Sequence, residues 1–109
     1  MAYDEKLSTR VRSLLSGERG VMEKKMFGGI CFMVHGNMCV GIAGDDLMVR
    51  CGPAEYEQAL KAKHARPMDF TGRPMKGFVF VSPDGTKTAA QLKKWTALGV
   101  AFAKSLPRK

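Results

Sequence analysis

Apolar positions near the start of the chain recur at helical spacing. Leu7, Val11, Leu14 and Leu15 lie three and four residues apart, so one stripe of a helix carries all four. Asp4 precedes the stripe as an N-cap, and Gly17 stands where a left-handed C-cap belongs. Beyond residue 20 the period shortens to two. The pattern predicts strands near 21–27, 30–35, 38–43 and 47–51. Val34-His35-Gly36-Asn37-Met38-Cys39 reads as a hairpin turning at Gly36-Asn37, and Ala43-Gly44-Asp45-Asp46-Leu47 as a second tight turn.

Those turns set a register, and the register sorts the side chains. One sheet face is expected to carry Cys31, Met33, Val40, Ile42, Leu47, Val49 and Cys51, and to be the face that helices cover. The other is expected to carry Ile30, Phe32, Val34, Cys39, Gly41, Ala43, Met48 and Arg50. This second face is more apolar than a solvated surface needs. Ile30, Phe32, Val34 and Met48, with Arg50 at the edge, are therefore a candidate face for a protein partner or a second copy; a helix or the strand near 21–27 covering them is the alternative.

After the sheet, Gly52-Pro53 opens a helix with Pro in its first turn, Glu55 and Glu57 near its positive end, and a stop before Arg66-Pro67. Residues 64–76, with two prolines and a glycine, read as a loop. Gly77-Phe78-Val79-Phe80-Val81 is an unbroken apolar run, expected as an interior strand, and Ser82-Pro83-Asp84-Gly85 turns the chain. Thr88 and Gln91 form a capping box for a long final helix whose stripe is Leu92, Trp95, Gly99, Phe102 and Leu106. Gly99 within that stripe marks a close backbone approach. The order α-β-β-β-β-α-β-α groups the strands together. It predicts a two-layer α+β fold, an antiparallel sheet of about five strands covered by helices on one face.

With 109 residues, 45% of them hydrophobic and 26% charged, the chain makes a single folded domain spanning 1–109. No apolar run approaches the ~20 residues of a membrane span, and the N-terminal MAYDEKLSTR is not a secretion signal. Three cysteines at uneven spacing make neither a disulfide framework nor a metal motif, so a cytoplasmic protein with reduced thiols is expected. The net charge of +8 is uneven. Residues 61–76 hold five cations against one acid, and residues 87–109 hold six cations and no acid. Lys61, Lys63, Arg66, Arg73, Lys76, Lys93 and Lys94 are candidate polyanion contacts if they converge; otherwise they solvate the surface.

The stretch Lys24-Lys25-Met26-Phe27-Gly28-Gly29-Ile30 suggests a phosphate-binding loop. A phosphate cradle, however, needs a helix after its glycines, and here strand residues follow. Gly28-Gly29 is expected to be a bend between strands. His35 and His64 lack metal-pair spacing, and Asp45-Asp46 lies in a turn. Cys31 and Cys51 are expected as core residues, with Cys39 on the other face. No acid, base and nucleophile assemble, so a non-enzymatic domain without metal or cofactor is expected.

The runs KKMFGGICFMVHGNMCVGIAGDDLMVR, ARPMDFTGRPMKGFVFV and LKKWTALGVAFAKSLP, over roughly residues 4–106, resemble the N-terminal domain of the TfoX/Sxy family of bacterial competence regulators. Met26, Phe27, Gly28 and Gly29 are its structural signature. The resemblance implies a two-layer α+β domain with an antiparallel sheet, here in a stand-alone form without the family's helical C-terminal domain. It also implies a regulatory or adaptor role similar to transcriptional co-activators that act with the cyclic-AMP receptor protein, through a protein partner. It brings no catalytic residues. Direct DNA binding through the basic loop and last helix is the alternative.

Overall fold

The computed structural model describes residues 3–26, 29–67 and 77–107. Phe27, Gly28, Arg73 and Lys76 lie outside the described residues. The first helix, α1 (Glu5–Leu14), starts where Asp4 accepts hydrogen bonds from the Lys6 and Leu7 amides. Its chain then turns through Gly20, at φ 72°, whereas Gly17 is not among the positive-φ glycines, so the C-cap expected there is not formed.

The strands follow as β1 (Val21–Met26), β2 (Gly29–Val34), β3 (Asn37–Ala43) and β4 (Asp46–Arg50). A short helix α2 (Tyr56–Leu60) leads to β5 (Ala65–Pro67), β6 (Phe78–Val81) and the long α3 (Ala89–Ser105). Among the described residues the strands form one antiparallel sheet, in the order β1-β2-β3-β4-β6-β5. The fold is α+β, as the pattern predicted. β5 comes from the segment read as a loop: Ala65–Pro67 pairs with β6 and makes a sixth strand, leaving β6 interior. The middle helix is shorter than expected, because Pro53 and Glu55 sit in a turn before it.

The first hairpin departs from expectation by one position, with large consequences. Its two-residue turn is His35-Gly36, both at positive φ (54° and 81°), and Val34 pairs with Asn37. That backbone fits a turn whose twist matches the flanking strands. A bulge follows. Phe32 pairs with Val40 but Met33 with Met38, so Cys39 is the extra residue. The turn's new position slides the pairing by two and leaves the facing unchanged, whereas the bulge shifts it by one and reverses the facing of β2. Ile30, Phe32 and Val34 turn toward the helices and are buried with Val40, Ile42, Leu47, Val49, Cys39 and Cys51. Cys31 and Met33 turn to the opposite face, beside Met38, Met48 and Phe80. In the second hairpin the pairing slides by two, Ile42 opposite Leu47, which preserves the expected facing of β4 and of β3 from Val40 onward, whereas Cys39, expected on the other face, is turned to the helix side by the bulge.

α1 and α3 lie over the helix-side face. Leu7, Val11 and Leu15 of the first stripe and Leu92 and Trp95 of the last are buried there. The capping box of α3 forms as expected, Thr88 Oγ1 accepting from the Gln91 amide and Gln91 Oε1 from the Thr88 amide. Gly99 lies against β3: a Cβ built on it stands 2.5 Å from the Cys39 carbonyl oxygen.

Candidate functional site

The double-glycine stretch separates two paired strands. Met26 pairs with Gly29, and a side chain at Gly29 would collide with the Ile42 carbonyl of β3. Strand, not helix, follows it. The close packing of three strands accounts for this glycine, and the arrangement lacks the helix N-terminus that a phosphate cradle uses.

The partner face read from the apolar pattern does not exist as a surface. Ile30, Phe32 and Val34 are 6%, 0% and 0% exposed under the helices. Met48 is fully buried on the opposite face. Arg50 is half-buried, its guanidinium 5.4 Å from the Phe78 ring centroid and 5.3 Å from that of Phe102. The Cys39 bulge is the physical reason, since its extra residue exchanges the two faces of β2.

The candidate polyanion contacts are divided among several elements. Lys61 and Lys63 are exposed after α2. Arg66 projects on the side of the sheet away from the helices, over the Phe80 ring and paired with Asp46. Lys93 and Lys94 are exposed and adjacent on α3. The structure thus turns Lys93 toward α1 and Lys94 toward α2, and places Arg66 on the other side of the sheet.

Thiol chemistry meets an unfavourable setting. Cys31, Cys39 and Cys51 are all buried and unbridged. Burial in apolar surroundings pushes the Cys31 thiol up to about 11, and burial, with Glu18 adding to it, pushes Cys39 up to about 12. Desolvation raises Cys51 as well. A thiol nucleophile requires the opposite shift. Among the described residues no cluster of three or more His, Cys, Asp or Glu has the geometry to hold a metal ion.

Among the described residues an open concave surface lies along the helices. α1 and α3 run in the same sense and are tied near both ends. Arg10 donates to the Lys87 and Thr88 carbonyls, and Lys104 pairs with Glu18 at 2.7 Å. Between these ties the helices leave a trough. One part, about 390 Å³, is lined by Leu14, Leu15, Thr96, Ala97, Val100 and Ala101, with Lys93 and Lys104 on its rim. The adjoining part, about 330 Å³, shares Leu14 and reaches Arg10, Ala89 and Leu92. Leu14 is 38% exposed, though the periodicity placed it in the buried stripe. Pattern reading missed this trough. Its only trace in the sequence is Leu14 beside Leu15 and the outward alanines Ala97 and Ala101, one helical turn apart. A second depression, about 420 Å³, separates α2 from α3 and is lined by Gln58, Ala62, Lys94, Trp95 and Leu98, among others.

Fold and surface together define a small two-layer α+β domain with open apolar ground along its helices. Residues 13–103 match the family model described as TfoX N-terminal domain. This span covers most of the chain, and the chain belongs to that family. No curated protein and no solved structure gives a significant match. No helix among the described residues is long and apolar enough to cross a membrane.

Proposed function

We propose that this domain is a non-enzymatic regulatory adaptor that acts by binding another protein, in the manner of the competence co-activators its family resembles. The observation that carries the reading is the outer side of α1 and α3, where Leu14, Ala97 and Ala101 are exposed beside a trough while the rest of the apolar stripe is spent on the core. Surface apolar ground rimmed by polar groups is characteristic of interaction sites. Family membership supports the same role. The three thiols, buried and held protonated, offer no nucleophile to a competing catalytic reading.

The test is capture of partners from the native host by the tagged protein, with and without nuclease. A partner retained after nuclease treatment is expected. Loss of every partner on nuclease treatment would overturn the adaptor reading.

One observation favours a second reading, direct binding of nucleic acid. α3 carries Lys93, Lys94 and Lys104 and no acidic residue. Binding of this kind weakens steeply between about 50 and 200 mM salt, because each neutralised phosphate releases counterions. A flat salt response would remove it.

A further inference from the structure

We propose that the α1–α3 trough docks one amphipathic helix of a partner protein, apolar along one stripe and acidic along its flanks. The proposal rests on the adaptor reading and specifies its surface. α3, at 17 residues, is about 25 Å long and gives a partner helix several turns to lie along. Ala97 and Ala101 face outward at i and i+4, and such small side chains permit close helix approach. Exposed Leu14 forms the opposite wall, so an apolar residue every third or fourth position of the incoming helix fills the trough.

A second observation lies in the floor. Thr96 lines the trough and is 3% exposed, and its Oγ1 has no hydrogen-bond partner. A threonine inside a helix ordinarily returns its hydroxyl to the carbonyl four residues back. A polar group in the centre of the docked helix, reached by a small rotation of the threonine, supplies the missing bond.

The rim selects the charge of the occupant. Lys93 stands at its edge and Arg10 at its far end, while Lys104 and the acid there, Glu18, are paired with each other. Lys93 has no ion-pair partner among the described residues. A second copy presenting its own α3 would set lysine against lysine, which disfavours self-association across this face.

The probe is a fluorescein-labelled designed helical peptide with leucine at i, i+3, i+4 and i+7 and glutamate on both flanks. It is titrated by fluorescence anisotropy against the 109-residue protein. Two further peptides are compared, one with lysine flanks and one scrambled to remove the stripe. The glutamate peptide is expected to bind best, the lysine version roughly tenfold more weakly, as two charge pairs turned from attraction to repulsion allow. Amide shifts are expected at Leu14, Thr96, Ala97 and Ala101. Ala97→Arg is expected to weaken binding at least tenfold with the far-UV spectrum unchanged, and Lys93→Glu to narrow the preference for glutamate flanks. Equal binding of the scrambled peptide, shifts confined to another surface, or a protein that dimerises through this face would overturn the proposal. If Ala97→Arg captures the same nuclease-resistant partner as the wild type, the trough is refuted while the adaptor reading stands. If the wild type captures none, the adaptor reading itself fails.

Discussion

Replacing Gly99 by alanine sets two known effects against each other. In an isolated helix the change favours folding by roughly 1 kcal/mol, because glycine is the poorer helix former. Here the new methyl stands 2.5 Å from the Cys39 carbonyl oxygen and 2.8 Å from Val40 Cγ1. Neither neighbour yields easily: Val40 is fully buried and paired to strands on both sides, and Cys39, the bulge residue beside it, is fully buried as well. α3 must therefore lift from the sheet. Overpacking of this kind costs about 1–3 kcal/mol, and the obstruction by backbone places this site in the upper part of that range. The expected balance is a loss of about 1–2 kcal/mol, with a fall in Tm of about 4–8 °C for each kcal/mol. Urea unfolding followed by the fluorescence of Trp95, the single tryptophan, 6% exposed on α3, measures it. Gly17→Ala is the control: the same chemical change in open space, without a positive φ, is expected to stabilise by about 0.4–1 kcal/mol. A Gly99→Ala protein as stable as the wild type, or more so, would refute the close approach of α3 to β3.

Further predictions follow from single contacts. Arg12 holds the Glu23 carboxylate in a two-pronged ion pair, 2.7 and 2.8 Å, chiefly through hydrogen bonding, and draws its pKa below the ordinary glutamate value. A carboxylate lowered in the folded state stabilises above its unfolded pKa and loses that contribution as pH falls through the folded value. The wild type should therefore lose its advantage over Glu23→Gln as pH drops below about 4.3, and the difference at pH 7 should stay under about 1 kcal/mol because both groups are partly exposed. Asn37, 1% exposed, donates to the Pro107 carbonyl at 3.0 Å, so Asn37→Ala should cost about 1–2 kcal/mol and hasten carboxypeptidase trimming of the C-terminus; unchanged trimming would refute the tie. All three cysteines should react slowly with a thiol reagent at pH 7.5 and all should react in urea, whereas one fast native thiol would contradict their burial.

Much of the fold was legible along the chain because helices and most strands are local agreements. Asp4 caps α1 and the Thr88–Gln91 box opens α3 through contacts spanning three residues or fewer, and the run Phe78–Val81 is apolar on both faces because an interior strand requires it. The lysines of α3 were legible too, since charge needs no partner to be counted. The trough was not. Leu14 looks like its neighbours until α1 and α3 are set side by side, and only their spacing leaves it uncovered.

Residue pattern alone determined the α+β class, the N-caps of the first and last helices, the interior place of β6 and the close packing at Gly99. Tertiary structure alone decided which side of β2 is inside. One extra residue at Cys39 is a small local choice, but side chains alternate along a strand, so a shift of one position exchanges two whole faces. The choice is made by what the sheet must bury. Phe32 fits beneath α1 and Cys31 against Met48, and that comparison exists only once the layers are in place.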